Sequence, residues 1–238
     1  MNFLIAAFFA MVVFPKLLGS PIGKVDTGTF LKKMGLYLPK HSWRHVLTGV
    51  IFSLCTLSGM LVAALLTGKY EPNLSAISLE HLIFSLNPAI WEEFFFRGVL
   101  MILLLNKTKS FRTAALIQIL LFGVMHIKGA GLWEAIDVLA VLILGAAFTY
   151  TAWKTRSLVA GIVFHYIHDA LLFFVQVPGD TALSNMQNAV FYIFLVLMIA
   201  VGTLIVKSLS RWLETPSDPP LYQTTQQPLA ESPRAIPA

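Results

Sequence analysis

The stretch MQNAVFYIFLVLMIAVGTLIVKS, residues 186–208, decides the solvent in which this chain folds. It stays apolar for about twenty residues, and at about 1.5 Å per residue a helix of that length crosses the roughly 30 Å hydrocarbon core of a bilayer. Outward from it, six further apolar segments can be marked, near 2–19, 43–67, 88–106, 112–127, 132–153 and 157–176. The composition agrees, with 57% hydrophobic and only 12% charged residues, about half the charged share of an ordinary soluble domain. Lipid offers the backbone no hydrogen bonds, so the expected fold is all-α, a polytopic transmembrane helical bundle of about seven spans.

Three regions are expected along the chain. Residues 1–42 hold a first span and a basic cytoplasmic connector, 43–210 form the helical membrane core, and 211–238 form a disordered tail containing six of the twelve prolines. Met1–Val13 looks like the core of a signal peptide, but no basic residue precedes it and no clear cleavage site follows, so it is expected to remain as a span. The single cysteine, Cys55, excludes an intrachain disulfide and a cysteine-based metal site. Ser53, Ser58, Gly59 and Ala63 in the second span are expected to serve close helix packing.

Charge sets an orientation. Lys16, Lys24, Lys32, Lys33, Lys40 and Arg44 lie between the first two spans, and the positive-inside rule makes that connector cytoplasmic. Alternation through seven spans then puts fourteen basic residues inside against two outside, Lys69 and Lys128, with Arg97 within a span. The N-terminus is thus expected outside and the C-terminus in the cytoplasm. Topology and membrane lipid account for the net charge of +5, and no nucleic-acid partner is needed.

An ionisable residue inside a span costs several kcal/mol on the mildest insertion scales, so each is a candidate for function. The third span reads PAIWEEFFFRG from Pro88 to Gly98, after Asn87 and Pro88, which are expected to cap and open it. Glu93 and Arg97 are i and i+4 on one face and can pair, whereas Glu92 points about 100° away without that partner and is the better candidate for a general base. All three could equally form one structural ion-pair knot. The fourth span ends in LFGVMH, leaving His126 at its outer end, where a lone histidine is often only interfacial. The sixth contains GIVFHYIHD, with His165 and Asp169 on one face and His168 about 60° from His165. A His–Asp pair can simply rigidify packing. Yet the orientation read from loop charge, which used none of these residues, brings Glu92, His126 and Asp169 into the outer half of the bilayer with His165 nearer the middle. That convergence points to one site.

The order Glu-Glu-x-x-x-Arg (Glu92, Glu93, Arg97), Phe-x-x-x-His (Phe122, His126) and His-x-x-x-Asp (His165, Asp169), each in its own span, resembles the CPBP or Abi family of CAAX prenyl proteases and bacteriocin-processing enzymes. The resemblance covers roughly residues 80–176. It implies an intramembrane endopeptidase of glutamic type acting on a hydrophobic or lipidated, CAAX-like protein or an exported peptide. Glu92 would activate water, His126 would orient it, and His165 and Asp169 would face the oxyanion. Glu93, Arg97, Phe122 and His168 would support them. Many family members carry asparagine where Asp169 stands, and an ionised Asp169 cannot donate to an oxyanion, so it would hold His165 as a donor or act protonated. No cofactor is expected; in the metalloprotease alternative, zinc would bind Glu92, His126 and His165. A proton-coupled transporter and a catalytically silent scaffold or immunity protein of the same fold remain as alternatives.

Overall fold

The structure, a computed structural model, describes residues 27–66, 78–175 and 185–213. The expected first span at 2–19, the start of the basic connector and the proline-rich tail from 214 lie outside the described residues. Everything described is helix or short turn. In chain order the elements are α1 (Thr27–Lys33), α2 (Ser42–Leu66), α3 (Leu79–Glu92), a π-helical segment (Glu93–Leu100), α4 (Met101–Thr108), α5 (Phe111–Val124), α6 (Leu132–Thr155), α7 (Val159–Val175) and α8 (Asn185–Leu213).

Among the described residues three helices are long and apolar enough to cross a membrane: α2, α6 and the Met186–Leu209 part of α8; α5 and α7 contribute shorter apolar runs. Large apolar side chains such as Leu54, Leu116, Ile193 and Leu204 stand outward on these helices. In water they would be a liability; against acyl chains they are the expected surface of an integral membrane protein.

Small residues set the helix spacing around α2. A Cβ on Gly49 would meet the Ala160 carbonyl of α7 at 2.6 Å, and one on Gly59 would overlap the Met198 side chain of α8. Ser53 is buried, its hydroxyl within 2.9 Å of the Gly49 carbonyl and 3.1 Å of the Phe164 carbonyl. Ser58, expected in the same packing face, is instead exposed and turns back onto the Cys55 carbonyl.

The third span starts earlier than its sequence implies. Asn87 and Pro88 do not open a helix: α3 begins at Leu79, nine residues before Pro88, and passes through both. Ser78 supplies the cap, its hydroxyl accepting the His81 N–H at 3.0 Å, with Glu80 in the first turn. Pro88 removes one hydrogen bond from a helix already under way. The rod then widens into the π-helical segment, continues as α4, and stops where Lys109 turns left-handed at φ 56°.

The end of the basic connector is also more ordered than a loop. Phe30 of α1 and Met34 are buried with Phe94, Val99 and Leu158 beneath the π-helical segment. The Gly35 carbonyl accepts the Leu158 N–H at 2.9 Å, and the Tyr37 hydroxyl donates to the Arg156 carbonyl at 3.0 Å. Arg44 at the start of α2 donates to the Trp212 carbonyl at the end of α8 at 2.7 Å. The connector, the α6–α7 turn and the end of α8 therefore share one end of the bundle, the end that carries most of the basic residues.

Candidate active site

The π-helical segment begins at Glu93 and seats its charges in the protein interior. Glu93 and Arg97 are both fully buried, and Arg97 Nη1 donates to Glu93 Oε1 at 2.9 Å, the pairing their spacing predicts. The guanidinium lies over the ring of Phe122 at 4.1 Å and that of Phe148 at 4.9 Å, and Nη2 reaches the Gly145 carbonyl at 3.4 Å. A planar, weakly hydrated cation suits such an aromatic slot better than an ammonium. Phe122 thus forms one wall of the arginine site.

Two glycines give this ion pair its room. A Cβ on Gly145 would meet Phe122 at 3.0 Å and Arg97 Nη2 at 3.4 Å, and one on Gly161 of α7 would stand 2.9 Å from Glu93 Oε2.

His165 is held at both nitrogens. Nδ1 faces Glu93 Oε1 at 3.3 Å, and a carboxylate already paired to arginine only accepts, so Nδ1 carries the proton. Nε2 lies 3.5 Å from Asp169 Oδ2 and 3.9 Å from Glu92 Oε2. The imidazole ring stacks on Phe148 at 5.4 Å. His126 sits just beyond the end of α5, where its Nδ1–H donates to the Phe122 carbonyl at 2.8 Å. That bond leaves Nε2 as the free nitrogen, pointing at Glu92 Oε2 from 3.8 Å. Glu92 Oε2 makes no hydrogen bond with the protein.

Glu92, His126, His165 and Asp169 thus meet, although they come from three separate segments. They open into a cavity of about 610 Å³, which His168 also lines while its ring packs on Phe164 at 5.7 Å. The far wall is apolar, built from Met60, Leu144, Phe191, Leu195 and Ile199. His81, Lys128, Asp137 and Tyr192 line the same cavity and did not figure among the residues expected from sequence. Asp137 was legible by the rule that singled out Glu92, since it is a carboxylate within an apolar span.

Among the described residues no group of three or more His, Cys, Asp or Glu side chains comes close enough to hold an ion.

Residues 73–171 match the family model described as "Type II CAAX prenyl endopeptidase Rce1-like". The match contains every motif residue from Glu92 to Asp169 and leaves α2 and α8 outside. No curated protein and no solved structure matches the chain.

Proposed function

Since residues 73–171 match the family model of the Rce1-like type II CAAX prenyl endopeptidases, we propose that the chain hydrolyses a peptide bond within the membrane by means of a water activated by Glu92. One observation carries this reading: Glu92 Oε2 stands 3.8 Å from His126 Nε2 and 3.9 Å from His165 Nε2, in a cavity of about 610 Å³. Those separations are too long for direct hydrogen bonds and suit one water shared among the three groups.

The water donates one proton to Glu92 and the other hydrogen bond to His126 Nε2, which is an acceptor because Nδ1 is committed to the Phe122 carbonyl. Its oxygen attacks the scissile carbonyl carbon. Charge develops on the carbonyl oxygen, and His165 in its imidazolium form donates Nε2–H to it while Nδ1–H stays on Glu93. Asp169 is the counter-charge for that imidazolium. As the C–N bond breaks, the proton held by Glu92 passes to the leaving nitrogen, giving an amine and a carboxylic acid. Glu93 and Arg97 do not line the cavity; they hold His165 in place.

The substrate on this reading is a hydrophobic or lipidated segment that enters from the bilayer. His126, Lys128, Asp137 and Asp169 lie at the end of the bundle opposite the basic connector and Arg156, so with that connector in the cytoplasm the cavity opens toward the outer leaflet. An exported peptide or a membrane-anchored precursor fits this side. The test compares purified wild-type and Glu92→Gln protein on labelled S-farnesylcysteine and plain hydrophobic peptides, with and without a chelator. Cleavage that is lost in Glu92→Gln and kept in chelator supports the reading. Equal cleavage by both proteins removes it, and loss on chelation replaces Glu92-activated water by a metal mechanism.

A further inference from the structure

The cavity has a polar mouth as well as a catalytic floor. On α6 the lining residues Asp137, Ala140, Val141, Leu144 and Phe148 repeat every three or four positions, a single stripe along one helix face. On α8 the lining residues Tyr192, Leu195 and Ile199 do the same. The two stripes are apolar over most of their length and polar only at their outer ends. There the Tyr192 hydroxyl donates to Asp137 Oδ1 at 3.2 Å.

Helix-to-helix fastening does not need that bond. The Tyr192 ring is already stacked on Trp133 of α6 at 6.2 Å with 7° between the planes. A carboxylate within an apolar span is expensive unless it has a task, and neither residue of this pair is buried. Tyr192 occupies one carboxylate oxygen and leaves Asp137 with acceptor capacity inside the substrate cavity.

The stripe also gives a distance. Phe122, whose carbonyl holds His126, packs at Gly145, so the reacting centre lies level with Leu144 and Gly145. Asp137 is seven residues from Leu144, about 11 Å along the helix at ~1.5 Å per residue. An extended peptide covers that in about three residues at ~3.3 Å each.

We propose that Asp137 and Tyr192 form a substrate-binding subsite that takes a hydrogen-bond donor of the substrate about three residues from the scissile bond. The inference rests on the endopeptidase reading for the meaning of the scissile bond, but the subsite itself is a binding claim. It also assigns a selective part to α8, which lies outside the segment that matches the family. Two donors have the required chemistry, a main-chain N–H and the side chain of lysine or arginine, and an experiment separates them.

Fluorescein-labelled S-farnesylcysteine peptides with varied flanks are bound to the full-length Glu92→Gln protein in detergent micelles, and the tightest binder is resynthesised in two series. One series N-methylates each flanking residue in turn; the other replaces each lysine or arginine by glutamine. The expected result is a loss of about tenfold in affinity at one position about three residues from the cleaved bond. N-methyl sensitivity identifies a main-chain donor, and glutamine sensitivity a basic side chain. The same loss appears in Tyr192→Phe and Asp137→Leu with the unmodified peptide, and the modification costs nothing further in those variants. In the active protein the two substitutions raise KM and leave kcat unchanged, a split that a merely structural role would not give. The inference is overturned if both variants bind like the parent, or if the modified peptide loses affinity equally in the parent and in Asp137→Leu. Because binding is read in a protein that cannot cleave, absence of cleavage in wild type would defeat the protease reading and leave this result to stand or fall separately.

Discussion

Replacing Gly161 by alanine sets two effects of opposite sign against each other. In the interior of α7 alanine is the better helix former by about 0.5–1 kcal/mol, so the change on its own favours folding. The new Cβ, however, would stand 2.9 Å from Glu93 Oε2, where ordinary contact begins near 3.4 Å, so the carboxylate must retreat by about 0.5 Å. Glu93 is fully buried and its other oxygen holds Arg97 at 2.9 Å and His165 at 3.3 Å. A retreat of that size carries both contacts to or past the limit of hydrogen bonding. A hydrogen bond to a charged group contributes about 1.5–3 kcal/mol, and each ~1.4 kcal/mol of transition-state stabilisation is tenfold in rate. The expected outcome is a kcat roughly ten- to a hundredfold lower, with KM unchanged because Glu93 does not line the cavity, and with a modestly lower melting temperature, because the weakened buried contacts outweigh the helix preference of alanine. Glu93→Asp shortens the acid by one methylene and withdraws it from the new methyl. Gly161→Ala should therefore cost little further activity when added to Glu93→Asp. The assay is peptide cleavage by detergent-purified protein beside a thermal melt. A Gly161→Ala enzyme within twofold of wild-type kcat, or penalties that multiply in the double variant, would refute the claim that Glu93 positions His165.

The remaining predictions follow from the same geometry. Arg97→Met leaves Glu93 buried without its partner, a loss of about 3–5 kcal/mol, so the variant should show a marked fall in melting temperature or fail to accumulate as folded protein. Asp169→Asn should retain cleavage, because an amide can itself donate to an oxyanion, whereas Asp169→Ala should lower kcat at least tenfold; steady-state kinetics on one peptide distinguish the two. In a Cys55→Ser background, the thiol of Ala130→Cys should react with a membrane-impermeant maleimide in intact cells and that of Lys107→Cys only after lysis. The reverse pattern would put the cavity on the cytoplasmic side.

Much of the bundle was legible because hydropathy is a one-dimensional signal and lipid reads it directly. The segments marked at 43–67, 132–153 and 186–208 correspond to α2, α6 and α8. Two features escape local rules because each depends on its neighbours. Pro88 is a helix opener in isolation, yet the cap at Ser78 had already started α3. Phe30 and Met34 sit among lysines and look like loop residues, and only the packing of α1 beneath Phe94 and Leu158 makes them core. Within the site, the pairs Glu93–Arg97 and His165–Asp169 follow from i,i+4 spacing. The approach of Glu92 to His126 does not, because a distance between helices is set by packing; likewise the glycines at 145 and 161 that make room for the Glu93–Arg97 pair carry no chemistry of their own to attract notice. Asp137 and Tyr192 were missed for a different reason: they fall outside the familiar motif order.

The deepest consequence of the structure is that two adjacent, identical side chains are assigned to different tasks by their surroundings. Glu93 is fully buried, committed to a guanidinium and an imidazole; Glu92 keeps about a quarter of its side chain exposed and has an oxygen with no hydrogen bond to the protein. In an α-helix neighbours diverge by about 100°, and both could not readily serve one histidine. The change to π-helix begins between them, at Glu93, and His165 meets the pair by offering Nδ1 to one and Nε2 to the other. Wide turns of this kind are rare and concentrate at functional sites. On the proposed mechanism one carboxylate thereby becomes part of the scaffold and fixes the imidazole, while the other takes and returns a proton. A side chain locked into the first role could not perform the second, since a carboxylate that neutralises a buried arginine has no proton to exchange during turnover. Glu92→Gln and Glu93→Gln should for that reason fail differently, the first as a folded and inactive protein, the second as a less stable one.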